Sequence, residues 1–385
     1  MPTAERAAGI LCPLFALGGR RDWGVGEIGH LPTFCRWLAD AGHRVLQLLP
    51  TFETSAGERS PYAALTAFAL DPIYLSLDAV EDFAAAGGEA ALGAARESAH
   101  AGGDIDYDAV RAAKRRALEV AFARFVATEW EHGSARAEAF RRFRAAEAAW
   151  LDDYALFRAL RERHAGRSWT AWEPSLRARL PAALAEARDT LAPARLFHEY
   201  VQWVAAEQWA AAGSAGVTGE DLGVVPDFVR RSLATLAIPG YRVLRWESDG
   251  GVFRDPAGFP PLSVATSGTH DTSALAIWWE EELGADGRRA LAAVPSFGRL
   301  AGAGAAFTPG VHEALLDGLY GARSALVVLP FPDAYGGRER INVPGTVGPP
   351  NWGYRLPWTV DDLWGRTGAA LRDRLRALAA RHGRS

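Results

Sequence analysis

Five short segments of strand length, the first two of them apolar runs, limit most strongly what this chain can fold into. They are "GILCPLFAL" (9–17), "HRVLQLLP" (43–50), "GYRVLRWE" (240–247), "LSVATSGTHD" (262–271) and "SALVVLPF" (324–331). The first two lack the apolar–polar alternation of a strand with one wet face. Two-sided apolar strands belong to a parallel sheet covered on both faces. Helix-like segments lie between them, such as "LPTFCRWLADAG", which ends at Gly42. Alternating strands and helices of this kind argue for an α/β fold. Polar, titratable residues follow the strands: Glu220 in "GEDLG", His270 and Asp271 in "GTHDT", and Asp333. That placement suits the C-terminal face of a (β/α)8 TIM-type barrel. The barrel is incomplete, with about six strands recognisable. The sixth is a stub at 216–219 with one apolar residue, Val217, between glycines. The deficit sits at 212–219, and a closed barrel of this type needs eight strands.

Between residues 82 and 212 the pattern changes to an Ala-, Arg- and Glu-rich helical one. In "LFHEYVQWVAAEQWAAAG" (196–213), Phe197, Val201, Val204 and Gln208 fall three or four apart, and Gly213 is placed to end the helix. The expected organisation is a first barrel part over 1–81, an all-helical insertion over 82–213, and the rest of the barrel over 214–385.

Composition excludes several function classes. A formal net charge of −4 gives no basic footprint, so no nucleic-acid partner is expected. No apolar run is long enough to span a membrane. "AAGILCPLFALGG" (7–19) imitates a signal core, but it contains Pro13, follows Glu5 and Arg6, and leads to no clear cleavage site. A buried strand and a cytoplasmic location are the better expectation. The two cysteines, Cys12 and Cys35, match no metal spacing and no disulfide framework, so neither a metal nor a cofactor is expected. The 14 Trp residues suit sugar faces and buried cores alike, the latter being commoner. Oligomeric state is not readable.

Each motif has a plain alternative. "GVGEIG" (24–29) fits a dinucleotide fingerprint, which would make the chain an oxidoreductase binding NAD(H). Six residues separate it from the strand, however, and Glu53 comes too late after the second strand to hold a ribose, so a loop-to-helix turn is expected. "AGSAG" around Ser214 resembles a nucleophile elbow but follows a helix, which reads as a linker. Tyr62 in "SPY" is a ligand contact or a packing residue. His270 and Asp271 bind a polar ligand or cap a turn. Glu220 is a general acid at a strand end or an acidic helix start. Asn342, Trp352 and Tyr354 in "INVPGTVGPPNWGYRLP" (341–357) line a site or close the barrel.

Taken in order, "GVGEIGHLPTFCRWLADAGHRVLQLLP", "SPYAALTAFALDPIYLSL", "DYDAV", "WLDDYALFRAL", "GEDLGVVPDFV", "IPGYRVL", "SGTHDT" and "RINVPGTVGPPNWGYRL" resemble the 4-α-glucanotransferases of the amylomaltase (disproportionating enzyme) family, (β/α)8 relatives of the α-amylases. The resemblance implies retaining transfer of α-1,4-glucan segments between maltooligosaccharides or other α-glucans. A carboxylate nucleophile forms a glucosyl-enzyme and a second carboxyl acts as acid and base. By motif it implies Glu220 as acid/base, Asp221 as a sugar contact and Asp271 as the carboxylate that stabilises the transition state. His270 and Asn342 become sugar contacts, and Tyr62 a platform at the cleavage point. Family members also carry two further strands between the helical insert and "EDLG", one with an "R-x-D-H" segment whose Asp is the nucleophile. This sequence has neither. "RRDWG" (20–24) and "FRDPAGF" (253–259) hold Arg-Asp pairs, but not at the end of an apolar strand. Loss of a covalent nucleophile costs several orders of magnitude in rate. The expectation is therefore a family member with lost or impaired transfer, the alternative being a non-catalytic glucan-binding protein.

Overall fold

The computed structural model describes residues 5–92, 96, 104–213 and 239–385. They divide into two compact units. One takes the described residues of 1–20, 30–49 and 214–385, the other those of 21–29 and 50–213. The second unit thus begins some thirty residues before the change of composition at 82, because residues 50–81 pack with the helices.

The first unit is built on β1 (Ala7–Leu11), β2 (Val45–Gln47), β3 (Gly240–Val243), β6 (Ser263–Thr266) and β7 (Leu326–Pro330), with a small hairpin of β4 (Ser248–Asp249) and β5 (Val252–Phe253). The five strands form one parallel sheet in the order β2-β1-β7-β6-β3. All five overlap the strand-length segments singled out in the sequence, and β1 and β6 are buried along their whole length. The runs overstate strand length. "GILCPLFAL" leaves the sheet at Leu11 and turns at Leu14–Ala16, since Pro13 has no N–H for the ladder. The stub at 216–219 lies outside the described residues.

Register is fixed by close approach. Gly9 lies opposite Val45, and a Cβ at Gly9 would stand 2.7 Å from both the Val45 Cβ and its carbonyl oxygen. The sheet is strongly curved. Its outer strands, β2 and β3, would lie about 19 Å apart in a flat five-stranded sheet. Yet the Tyr241 hydroxyl of β3 donates to Gln47 Oε1 of β2 at 2.7 Å. Only an arc, as in part of a barrel, brings those side chains together.

Helices cover the sheet. Phe34 and Trp37 of the Leu31–Asp40 helix meet the edge of Phe331. His43, held by burial at a pKa of about 4, bonds Ala41 O and the hydroxyl of Tyr320 on the Pro309–Tyr320 helix. Arg384 is fully buried and donates to the carbonyls of Tyr320, Ala322, Ser324, Ala325 and Ala7, closing the N-terminal edge of β1 and β7.

The second unit is helical, with Tyr107–Phe125, Ala135–Ala146, Ala148–Arg163, Pro181–Thr190 and Ala192–Ala212 as its main helices. Asp106 and Ser134 cap two of them by accepting from Ala109 N and Ala137 N. Phe125, Phe140, Tyr200 and Trp203 form an aromatic cluster with centroids 5.0 to 6.3 Å apart. On the Ala192–Ala212 helix, Gln202 and Gln208 use their amides as a strand would. Gln202 exchanges bonds with the backbone of Leu70 and Gln208 with that of Ser76. Gly213 then ends this helix with φ of 95°.

Candidate functional site

The site lies where β6 and β7 end. Residues 267–273 form a turn held from both sides. Thr272 Oγ1 accepts from Thr269 N and donates to Thr269 O, and Thr266 Oγ1 donates to Gly268 O. Arg245, just after β3, clamps the turn through Ser267 O, Ser273 O and Ser273 Oγ. Its buried guanidinium lies 5.5 Å from the Trp278 ring centroid, and burial lowers its pKa. Asp333, buried after β7, accepts from Ser267 Oγ at 2.6 Å and from Leu275 N at 2.7 Å. Burial pushes its carboxyl pKa up. Both oxygens of Asp333 are thereby engaged in fixing the turn, which makes it a positioning residue.

The turn presents His270 and Asp271. The loop after β7 meets them: Asn342 N donates to His270 O at 3.0 Å, and Asn342 Nδ2 donates to Asp271 Oδ1 at 2.7 Å. His270 Nε2 lies 3.2 Å from the same carboxylate oxygen. Arg340 ties the two segments together by donating to Asp271 O and Asn342 O. The His270 ring sits 5.8 Å from Trp352, tilted by 34°. Trp352 holds a left-handed φ of 61°, kept there by its N–H to Ile341 O. Asn351, buried beside it, accepts from Val343 N and donates to Thr346. Tyr354 is buried, with its hydroxyl 3.2 Å from that of Tyr335.

Three residues singled out in the sequence, His270, Asp271 and Asn342, are thus brought together. His270 and Asn342 are buried, while the Asp271 side chain is 42% exposed. One oxygen of Asp271 is taken by the amide and the imidazole. A carboxylate held this way accepts hydroxyl donors or faces a developing positive charge without rearranging. Tyr62 belongs to the helical unit, 47% exposed, on a turn in which Glu58 accepts from the backbone N–H of Arg59 and Ser60. Glu220 and Asp221 lie outside the described residues.

Arg245 and Arg340 escaped the sequence reading. The available signal was charge in an apolar context: an Arg inside "YRVLRWE", and one directly before "INVPGT". The two Arg-Asp pairs have local duties. Asp22 is buried and accepts from Gly24 N, and Asp255 accepts from Ala257 N and from Ser296. Among the described residues no group of His, Cys, Asp and Glu is placed to hold a metal ion, and no helix is long and apolar enough to cross a membrane.

A curved parallel sheet with a polar cluster at the carboxyl ends of its strands defines an α/β protein of the (β/α)8 type. Comparison with known proteins gives the family. The model described as 4-alpha-glucanotransferase matches residues 12–216 and 210–360, and the chain belongs to that family. The match comes in two pieces that overlap at residues 210–216. The 4-alpha-glucanotransferase of Thermus thermophilus is 34% identical over 280 residues, 71% of this chain and 52% of its own. That of Synechocystis is 35% identical over 213 residues, 53% and 39% respectively. The chain matches between about a third and a half of the length of these curated relatives. An amylomaltase from Streptococcus agalactiae, solved in complex with acarbose, superposes with a TM-score of 0.82 at 18% identity, covering 99% of this chain and 100% of that one. An amylomaltase from Corynebacterium glutamicum gives 0.73 at 19%, covering 97% and 75%. At such identity these two show the shared fold.

Proposed function

We propose that this protein handles α-1,4-glucans, maltooligosaccharides among them, at the His270–Asp271–Asn342 cluster, and that its transfer step is weak or lost. The observation that carries the reading is the pre-set carboxylate of Asp271, held by Asn342 and His270 at the end of β6. Acarbose, bound by the Streptococcus amylomaltase, points to a glucan-like ligand. In this reading Asp271 stabilises positive charge at the sugar, His270 and Asn342 meet sugar hydroxyls, and Tyr62 is a stacking platform. Glu220 is the proton donor, with Asp221 beside it. The impairment follows from the nucleophile. A retaining mechanism needs two carboxyls about 5–5.5 Å apart, one of them attacking carbon, and the "R-x-D-H" aspartate has no counterpart in this sequence. A cytoplasmic setting goes with this reading, since both cysteines are unpaired thiols.

Incubation with maltotriose tests the proposal, with binding measured separately by calorimetry. The expected result is maltodextrin binding with little or no release of glucose and longer chains. Release at the rate of a full-length 4-alpha-glucanotransferase would overturn the impairment. Absence of both binding and turnover would overturn the glucan reading.

A further inference from the structure

The helical unit holds a cavity of about 550 Å³ that the reading above does not use. It lies between the Tyr107–Phe125, Ala148–Arg163 and Ala192–Ala212 helices and the segment around Glu53 and Asp71. Its volume falls within the range of small-molecule sites, about 300–1,000 Å³. Ile73, Leu118 and Val201 give it apolar wall, and four arginines line it: Arg111, Arg115, Arg158 and Arg161.

These arginines are unequally satisfied. Arg115 has two carboxylates, Glu119 and Glu162, and lies 4.2 Å from the Phe197 ring centroid. Arg111 reaches Asp71 and Thr54, and Arg158 reaches Glu53 at 3.1 Å. Glu53 is itself shared, since its other oxygen accepts from the Tyr154 hydroxyl at 2.5 Å. The Nε of Arg111 and that of Arg158 are buried without an acceptor among the described residues. Among the described residues Arg161 donates only to Ser55 Oγ, at 3.2 Å, and no carboxylate lies within 4 Å of it. A guanidinium has five donors in a planar fork that matches the oxygens of a carboxylate or phosphate. A recess with apolar walls and spare guanidinium donors is a costly surface to leave to weakly held water.

We propose that this cavity is a binding site for a small organic anion, a carboxylate or phosphate carried on an apolar ring-sized body. The head group sits against Arg161 and Arg158, and the body lies along Ile73, Leu118 and Val201. The site is made only of residues of the helical unit, so it stands whether or not the glucan reading holds.

Phenyl phosphate, benzoate and benzyl alcohol share a ring and differ in the head. Their binding to the full chain by calorimetry, with melting temperature as a second readout, tests the proposal. At least one anion is expected to bind about tenfold or more tighter than benzyl alcohol and to raise the melting temperature. The stronger of the two anions identifies the head group as phosphate or carboxylate. Arg161→Gln is expected to weaken that binding about tenfold, while the melting temperature without ligand stays close to that of the unaltered protein. Equal binding of benzyl alcohol overturns the proposal, as does a well-folded Arg161→Gln protein that binds the anion unchanged. So does absence of binding of all three at millimolar concentration. Should Arg161→Gln not fold, the head-group preference of the unaltered protein decides alone.

Discussion

The two units bury polar groups in opposite ways. In the sheet unit, buried polar side chains serve the backbone. Arg384 meets five carbonyls, His43 and His312 each bond a carbonyl, and Asp333 accepts from a hydroxyl and a backbone N–H. In the helical unit, buried charge meets opposite charge. Lys114 pairs with Glu27 at 2.6 Å, Asp82 with Arg124 and Arg136, Asp71 with Arg111, and Glu199 with Arg144. Secondary structure explains the difference. Helices satisfy their own backbone except at the ends, so a charge buried between helix flanks is met chiefly by the opposite charge of another side chain. Strands stop abruptly and leave carbonyls and N–H groups at every turn, which side chains then serve. The candidate glucan cluster therefore contains one carboxylate among amide, imidazole and backbone. The cavity of the helical unit is lined by guanidinium and carboxylate groups instead.

The sharpest way to break this comparison is to remove one partner of a buried pair. Lys114→Ala leaves the Glu27 carboxylate, 4% exposed, without its ammonium, and also strips the donor from Ile73 O and Leu75 O. Removal of one member of a buried pair costs about 3–5 kcal/mol. Chemical denaturation is expected to show a loss of that size. A loss below about 1 kcal/mol would mean that the buried charges of the helical unit do not depend on one another.

The sheet unit should instead betray itself through pH. Burial holds His43 and His312 at a pKa of about 4, below their ordinary 6.5. The unfolded chain takes up these protons near pH 6.5, while the folded chain resists until about pH 4. The stability tied to the neutral rings is thus complete above pH 6.5 and is lost as pH falls towards 4. Each shift corresponds to about 3 kcal/mol. Denaturation at intervals between pH 7 and 4 should show this slope, and His43→Gln should flatten it in part. An unchanged slope in His43→Gln would remove His43 from the account.

Much of this architecture was legible because strands buried on both faces must be written as apolar runs. The two apolar runs and the three further strand candidates all became strands of one parallel sheet, and the periodicity of 196–213 became a helix ended by Gly213. His270, Asp271 and Asn342 could be singled out because polar residues at the end of an apolar strand have no packing reason to be there. Their mutual arrangement was not legible. It depends on Arg340 and Arg245, which act across 69 and 28 positions of sequence, and on the left-handed Trp352. Nor did composition reveal that residues 50–81 join the helices. That follows from Gln202 and Gln208 binding the backbone of Leu70 and Ser76, contacts 132 residues apart that leave no periodic trace.

The smallest expected effect concerns the cluster itself. Asn342→Ala removes the amide that donates to Asp271 Oδ1 but leaves His270, Arg340 and the turn in place. Asp271 is 42% exposed, so water replaces the lost donor and the protein should melt within a few degrees of the unaltered one. Ligand binding should suffer more, because Asp271 is no longer fixed and a contact to the sugar is lost. One hydrogen bond to a charged group contributes about 1.5–3 kcal/mol, so maltodextrin affinity is expected to fall roughly tenfold or more. A matching Asn351→Ala change is the control, since Asn351 shapes the same loop through Val343 N and Thr346 without touching Asp271. Loss of binding with loss of stability in Asn351→Ala, set against loss of binding alone in Asn342→Ala, would separate a residue that meets the glucan from one that only builds the loop. Equal binding by Asn342→Ala and the unaltered protein would take Asn342 out of the proposed site, leaving Asp271 and His270 to carry it.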